Sequence, residues 1–403
     1  MIQVCVGSFL HIFGVIFNIL IVLSCYFSLK ILVMILSHRY EHSFNPDFGV
    51  AAYDLINIAS NHRNVVRLVF WGCAADKTEY FIQYGILRRL LKDVFHDKVP
   101  AFTYVAQSLL SPGKLCVEIQ SLDGDDVVCQ YKVWEDLTYV KADMGSSCMM
   151  FLSAGSSNDE YQSVTRLSEL VFEKLKTIIL GNGFEIADIV RQWNYIERIT
   201  EIDDKGRQRY QEFNDARSNF YDNAFDIGGY PAATGIGADY GGIQICVDIL
   251  AAASCESRRV DNPYQRSAHR YSSDVLFGGE GKTTPKFERA RAITSFMGQW
   301  VYISGTAAIR GEQTCEVDAV CQSRLAMENI QMLLSSQNLS KYGVMGKAHL
   351  KSLRVYIKNA EDLSSIRSEL EKMVSEIETI YVKAEICRTN LLVEIEGVAD
   401  ICT

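Results

Sequence analysis

The stretch VYISGTAAIRGEQT, residues 301–314, is the part of the chain that decides the fold. It opens with β-branched and aromatic residues, which favour an extended strand. The strand leads into the small residues Ser304-Gly305-Thr306-Ala307 and then into a second apolar step that ends at Gly311. Because glycine followed by polar residues is typical of a turn, the sequence predicts a strand whose end faces a ligand.

This strand has an earlier counterpart in the chain. The tripeptide ISG at 303–305 resembles LSAG at 152–155, and the separation equals that between Tyr381 and Tyr230. After each of these landmarks the pattern of strand, helix, strand, helix, strand and strand follows. We therefore predict a duplicated α+β unit, with mixed sheets and with the helices on one face of each sheet.

Four short apolar runs lie in the first half of the chain, at residues 65–71, 101–105, 115–119 and 149–152. They predict strands, and the glycine and aspartate residues between them favour a single antiparallel sheet. Amphipathic spacing then predicts a helix over about 160–180. We predict one domain over residues 37–260 and a second over residues 261–403.

The composition excludes several classes of function. With 403 residues, 48% apolar and 22% charged, the chain is predicted to be globular and to form more than one domain. The net charge of −9 argues against nucleic acid as the main partner, because binding to a phosphate backbone requires an excess of Lys and Arg. The 12 cysteines include no Cys-x-x-Cys pair, so neither a metal site nor a redox motif is predicted. Scattered free thiols favour a cytoplasmic location, and we predict no cofactor.

Residues 1–36 form an apolar leader. Between Ile2 and Leu36 the only formally charged residue is Lys30, and the segment exceeds the roughly 20 residues that span a bilayer. Two interpretations are open. Either the leader is a membrane helix that leaves the body of the protein in the cytoplasm, or translation begins at Met34 and the leader is not made. A membrane is a predicted partner only if the leader is translated.

Six motifs in the second half of the chain carry a family resemblance. They are WNYI at 193–196, YQEFNDAR at 210–217, PAATGIG at 231–237, NPYQRSAHRY at 262–271, PKFERA at 285–290 and the stretch at 301–314. In this order they resemble the chorismatase family, also described as pteridine-dependent dioxygenase-like. The segment LVEIEGVA at 392–399, together with the Ser-Gly-Thr turn, resembles the Rid/YjgF (chorismate mutase-like) fold. The resemblance implies two tandem Rid/YjgF units.

The resemblance also implies an activity. Chorismatases hydrolyse the enol ether of chorismate to pyruvate and a hydroxybenzoate or a dihydroxycyclohexadiene acid, in aromatic biosynthesis and secondary metabolism. The expected partner is therefore a small cyclic dicarboxylate. The assembly is either a monomer or a Rid-like trimer.

A dicarboxylate substrate requires positioned arginines, because a guanidinium group binds a carboxylate through two hydrogen bonds. Arg217, Arg270 and Arg289 each lie inside a matched motif and are the predicted substrate-binding cations, with ion pairs between domains as the alternative. Tyr210 and Tyr271 are predicted to flank the ring of the substrate. Ala307 is placed beside it by the small-residue turn.

Cleavage of an enol ether also requires an acid that protonates carbon. Chorismatases usually continue the turn as Ser-Gly-Thr-(Ala/Cys)-Ser-x-x-Gly-His-Glu, and the Glu is their proposed proton donor. Here Glu312 stands at the His position and Gln313 at the Glu position. A neutral amide cannot supply the proton. Either Glu312 has taken the role, or the chain is a catalytically altered binding or accessory protein.

Imine hydrolysis of the Rid type is a further possibility that the sequence disfavours. Rid enzymes hold the substrate carboxylate with an arginine on the strand before the final Val-Glu-Ile-Glu, and Tyr381 occupies that position here. Arg388 is close to the position but out of register. Glu394 matches the acidic residue of the Rid family.

Overall fold

The structure is a computed structural model. It describes residues 36–402 apart from 111–112, 158–162, 205, 227, 252–254, 277–281, 296–297 and 375. Residues 1–35 of the predicted leader lie outside the described residues. Among the residues that are described, no helix is long and apolar enough to cross a membrane.

The first sheet has four strands and two helices. In chain order these are β1 (Leu36–Ser43), α1 (Phe48–Ser60), β2 (Val65–Gly72), α2 (Lys77–Phe95), β3 (Ala101–Ala106) and β4 (Leu115–Leu122). The strand order is β1-β4-β2-β3, and β2 runs parallel to β3. The predicted antiparallel sheet is therefore wrong for this pair. The crossover helix α2 returns the chain to the edge from which β2 began, and apolar runs alone do not give strand direction.

The second sheet has six strands. In chain order it contains β5 (Val127–Trp134), β6 (Leu137–Met144), β7 (Ser147–Ser156), α3 (Val164–Gly181), β8 (Ile189–Glu197), α4 (Arg209–Tyr221), β9 (Ala232–Ala238) and β10 (Ile243–Leu250). The strand order is β5-β6-β7-β10-β8-β9. The run at 149–152 thus belongs to this sheet, not to the first.

The third sheet also has six strands. In chain order it contains β11 (Glu256–Val260), β12 (Ala290–Ser295), β13 (Gly298–Ala307), α5 (Ala319–Leu333), α6 (Ser336–Ser340), β16 (Lys347–Ile357), α7 (Leu363–Met373), β17 (Glu378–Lys383) and β18 (Val393–Cys402). After β13, the short strands β14 (Ile309–Arg310) and β15 (Gln313–Thr314) form a separate two-stranded ladder.

The two six-stranded sheets share one topology. The third sheet has the order β11-β12-β13-β18-β16-β17, which repeats the order of the second sheet strand for strand. The first sheet has the order of the last four strands of either larger sheet. The predicted domain 37–260 thus contains the first and second sheets, and its last five residues form β11 of the third. The mixed α+β architecture is confirmed.

The helices form where apolar residues recur at helical spacing. In α3, Leu167, Val171 and Leu175 are buried against the second sheet. The hydroxyl of Ser163 caps the helix by accepting a hydrogen bond from the backbone N–H of Arg166, at 3.2 Å. The helix predicted over about 160–180 is therefore confirmed, with its first turn at Val164.

Three buried arginines join the sheets on the faces that the helices do not cover. Arg67 on β2, Arg191 on β8 and Arg354 on β16 occupy corresponding strands, and each pairs with an acid of another sheet. The ion pairs are Arg67–Asp248, Arg191–Glu396 and Arg354–Glu118. All six side chains are at most 5% exposed. Because the pairs run from the first sheet to the second, the second to the third and the third to the first, they form a closed ring, which we call the arginine ring.

Candidate functional site

A cleft lies between the second and third sheets, and we call it the first cleft. One wall is formed by α4 and β9, and the other by the end of β13, by β18 and by the loop before β18. The cleft encloses about 760 Å³, part of it open to solvent. Its position at the meeting point of two sheets is typical of ligand sites.

Five residues predicted from the sequence line this cleft: Tyr210, Arg217, Tyr271, Arg289 and Ala307. They come from α4, from the segment before β12 and from the end of β13. The structure thus brings together residues that are up to 97 positions apart in the chain, from 210 to 307. The remaining predicted residues, Arg270, Glu312 and Gln313, do not line it.

Arg217 and Arg289 are buried and retain hydrogen-bond donors. The guanidinium of Arg217 donates to the side-chain oxygen of Asn214 at 2.6 Å. That of Arg289 donates to the Tyr271 hydroxyl and to the Arg266 carbonyl, both at 2.6 Å. The Nε atom of each arginine has no partner among the described residues, and no described carboxylate lies within 4.0 Å of either guanidinium. Two unneutralised cations in a cleft are suited to an anionic ligand.

A third arginine lines the cleft without having been predicted as a site residue. Arg388 donates to the carbonyl oxygen of Glu312 at 2.9 Å and lies 5.3 Å from the centre of the Tyr271 ring. In the sequence, Arg388 lies close to the position of the Rid arginine but out of register with it, so it was not predicted to bind substrate. The exposed Arg270, by contrast, belongs to a short 3₁₀ turn outside the lining.

The aromatic residues are held close to the backbone of β9. A Cβ atom at Gly235 would lie 2.9 Å from the ring of Tyr210, so only glycine allows this approach without displacing the ring. Burial raises the pKa of the Tyr210 phenol, which therefore remains neutral. Tyr271 accepts its hydrogen bond from Arg289, and the two residues fix one another.

Glu394 is the buried acid of the cleft. It lies opposite Ala307 in the ladder of β18 with β13, and a Cβ atom at Gly305 would collide with its carboxyl group. Burial and, to a smaller extent, the nearby Glu396 raise the pKa of the Glu394 carboxyl to about 8, although Arg191 and Arg289 oppose this shift. At neutral pH, Glu394 therefore carries a proton that faces the cleft. Sequence reasoning matched this residue to the Rid acid but did not predict it as a site residue here.

Glu312 lies in the turn between β14 and β15, and Gln313 is the first residue of β15. The carboxylate of Glu312 accepts hydrogen bonds from the backbone N–H of Ser272 at 2.8 Å and from its hydroxyl at 2.7 Å. Arg266 adds an ion pair at 3.1 Å. The bonds from Ser272 lower the pKa of Glu312, so the group is ionised at neutral pH. Through these bonds Glu312 holds the segment that carries Tyr271 in place. Gln313 is exposed.

Metal ligation has no candidate in the described part of the chain, where no group of three or more His, Cys, Asp or Glu side chains is suitably placed. The thiol nearest the site is Cys387, and burial raises its pKa to about 12. It is therefore protonated. The chemistry that the cleft offers is proton donation by a carboxyl group beside fixed cations.

Comparisons with known proteins place this architecture in a class. Two family models match the chain: "Chorismatase FkbO/Hyg5-like, N-terminal" over residues 133–251 and "Endoribonuclease L-PSP" over residues 286–401. Residues 133–251 thus resemble the N-terminal part of chorismatases, and residues 286–401 resemble proteins of the L-PSP, or Rid/YjgF, type. The family resemblance predicted from the motifs is confirmed.

Individual relatives agree with this assignment. The 3-hydroxybenzoate synthase of Streptomyces hygroscopicus is 33% identical over 225 residues, which cover 53% of this chain and 64% of the relative. A chorismatase of Streptomyces rapamycinicus is 34% identical over 219 residues, which cover 52% of this chain and 63% of the relative. Both alignments thus span less than two thirds of the relative's length. A crystal structure of a chorismatase has a TM-score of 0.66 and 22% identity, covers 91% of this chain and 98% of its own, and shows that the fold is shared.

Proposed function

We propose that this protein hydrolyses the enol ether of chorismate, or of a related cyclic carboxylate, to pyruvate and a hydroxybenzoate or dihydroxycyclohexadiene acid. The observation that carries the proposal is the protonated Glu394 beside the unneutralised Arg217 and Arg289 in one cleft. The names of the relatives support the same reaction class.

The first step is proton transfer. Glu394 donates its proton to the methylene carbon of the enolpyruvyl group, and the C=C electron pair forms the new C–H bond. Positive charge then develops on the ether-bearing carbon and oxygen. A carboxyl group with a raised pKa suits this step, because it holds its proton at neutral pH and becomes an anion as the cation forms.

Water completes the reaction. It adds to the cationic carbon and loses a proton to the Glu394 carboxylate, which gives a hemiketal. Collapse of the hemiketal breaks the bond to the ring oxygen, releases pyruvate and leaves a hydroxyl group on the ring. This gives the dihydroxycyclohexadiene acid, with one water consumed. A hydroxybenzoate forms if the ring then loses one water, and neither product needs an oxidant or a reductant.

The arginines position the substrate for this transfer. We assign the two substrate carboxylates to Arg217 and Arg289, whose free Nε–H groups and buried guanidiniums provide charge-assisted hydrogen bonds. Arg388 lies at the same rim. Tyr210 and Tyr271 flank the ring, and Ala307 leaves space opposite Glu394.

The acid is thereby proposed to be Glu394, not Glu312 or Gln313. Glu312 is ionised and occupied by Ser272 and Arg266, so it acts as a positioning residue for the Tyr271 segment. This assignment explains how the chain can retain activity with Gln313 at the position of the family's glutamate.

Pyruvate release from chorismate tests the proposal. We expect wild type to produce pyruvate and Glu394→Gln to be slower by about 10³-fold, within the range of a general acid. Gln313→Ala is the matched control and should retain the wild-type rate. If wild type releases no pyruvate but cyclic carboxylates raise its Tm, the protein is a binding or accessory protein instead. If Glu394→Gln turns over as fast as wild type, the assigned acid is wrong.

We further propose that the three sheets are tandem Rid-like units that function within one chain as a monomer in the cytoplasm. The shared strand order and the closed arginine ring support this, because each inter-sheet contact is already satisfied internally. The described cysteines are all free thiols. Light scattering should give a single species near the chain mass of 45.4 kDa, whereas a Rid-like trimer would have three times that mass.

A further inference from the structure

A second cleft lies between the first and second sheets and is built from corresponding elements. The first cleft uses α4, β9, β13 and β18, and the second uses α2, β3, β7 and β10 at the same places in the topology. It encloses about 930 Å³, part of it open to solvent, so the two clefts are of similar size.

One wall of the second cleft is aromatic. The rings of Tyr84 and Phe102 stack at 5.5 Å, and those of Tyr80 and Tyr104 stack at 5.3 Å. Phe81 also lines the cleft and is 41% exposed. Exposed aromatic faces at the edge of a cavity favour a flat, apolar ligand that stacks on them.

The charge of the second cleft favours a single anionic group. Lys174 on α3 lines it, and its ammonium group has one hydrogen bond, to the Gly155 carbonyl at 3.4 Å. No described carboxylate lies within 4.0 Å of that ammonium group, and Asp136, the one acid among the described lining residues, is paired with Arg88 at 3.5 Å. The first cleft, with three arginines, is suited to a dianion.

The second cleft also lacks an acid at the corresponding place. Glu394 lies two residues before the ring acid Glu396, and Cys246 lies two residues before the ring acid Asp248. The Cys246 thiol is buried and shares a hydrogen bond with the Thr103 hydroxyl at 3.0 Å. Nearer the opening, Gln244 donates to the Tyr80 hydroxyl at 3.1 Å. A neutral amide and a buried thiol do not protonate carbon.

We propose that the second cleft binds an aromatic monocarboxylate without turnover. The ring lies against Tyr84 and Phe102, and the carboxylate pairs with Lys174. This inference rests on the lining of the second cleft and does not depend on the reaction proposed for the first.

Benzoate is the probe for this site, with its binding followed by ligand-observed NMR in the absence of chorismate. Arg289→Ala weakens any binding in the first cleft, and a further loss on changing Lys174 in that background then reports on the second cleft. In that background we expect Lys174→Ala to weaken benzoate about tenfold, as loss of a charge-assisted hydrogen bond does. Lys176→Ala, on the exposed face of the same helix, is the matched control and should leave the affinity unchanged.

Two further measurements test whether the binding is in the second cleft and whether it needs a carboxylate. Ser156→Trp, at the rim, should fill the cleft and abolish the remaining binding while Tm shows that the variant is folded. Benzylamine, which has the ring with a cation in place of the carboxylate, should not bind. The proposal is overturned if Arg289→Ala alone removes all benzoate binding, if Lys174→Ala has no effect in that background, or if benzylamine binds as well as benzoate. Because chorismate is absent, failure here leaves the pyruvate test of the first cleft unaffected.

Discussion

The first and second clefts are built by corresponding strands and helices but differ in the side chains that face the space between the sheets. Two residues before the ring acid, β18 places Glu394 in the first cleft, whereas β10 places the buried Cys246 beside the second. Three arginines line the first cleft, and one lysine lines the second. The scaffold therefore provides a cavity at both of these sheet contacts, and a few side chains decide whether that cavity is suited to proton transfer or to binding alone.

The arginine ring supports both clefts, and we expect its loss to have the largest effect of the changes considered, on the free energy of unfolding. Arg67 joins the sheets around the second cleft, and Arg191 joins those around the first. Arg67→Met leaves the buried Asp248 carboxylate without its cation, which costs about 3–5 kcal/mol of unfolding free energy. Arg191→Met should cost less, because Glu396 also pairs with Arg354 at 3.0 Å and keeps that cation. Chemical denaturation should show the larger loss of unfolding free energy for Arg67→Met.

An exposed ion pair is the control for the ring. Arg166 lies 3.3 Å from Glu169 on α3, with both side chains largely in solvent. Arg166→Met should cost less than about 1 kcal/mol, because water screens the pair. If Arg67→Met were no more harmful than Arg166→Met, the two clefts would not share a common support.

The pH dependence of turnover tests whether the acid that distinguishes the first cleft from the second, Glu394, supplies the proton. Because burial raises the pKa of Glu394 to about 8, the group carries its proton below that pH and is ionised above it. An acid is required in the first cleft, so kcat/KM for chorismate should be level between pH 6 and 7 and fall about tenfold per pH unit above about 8. A pH–rate profile measures this limb.

Replacing the other candidate acid sharpens this test. Glu312→Gln should retain the limb near pH 8, since the pKa of Glu312 lies below its usual value and the residue is outside the cleft lining. If kcat/KM of the wild type already began to fall as the pH rose from below pH 6, an acid other than Glu394 would supply the proton.

Local patterns predicted the elements well, because helical spacing and small-residue turns are properties of neighbouring residues. The ordered motifs also indicated Arg217 and Arg289, which the structure places in one cleft. The role of Glu394 was not predictable, since it depends on the register of β18 with β13, which shifts between Ile303 and Thr306. No local pattern encodes that irregularity.

The arginine ring is visible in the sequence as three arginines that lie inside apolar strands, which the strand patterns alone do not explain. Each ring arginine interrupts an apolar strand, as in VVRLVFW at 65–71, IVRQW at 189–193 and SLRVYI at 352–357. A charge in the middle of a strand that is buried on both faces needs a partner from elsewhere. Which acid supplies it, and from which sheet, follows only from the packing of three sheets that lie far apart in sequence.

The smallest effect concerns Glu312, whose bonds to Ser272 hold the Tyr271 segment over the first cleft. Glu312→Ala removes two hydrogen bonds and an ion pair from that segment but no group that lines the cleft. We expect KM for chorismate to rise about three- to tenfold with kcat nearly unchanged, the result of weaker uniform binding. Glu312→Gln, which can still accept from Ser272, should recover part of the loss. A fall in kcat as large as that of Glu394→Gln would instead make Glu312 the acid, and the difference between the clefts would then lie in the turn between β14 and β15 rather than at Glu394.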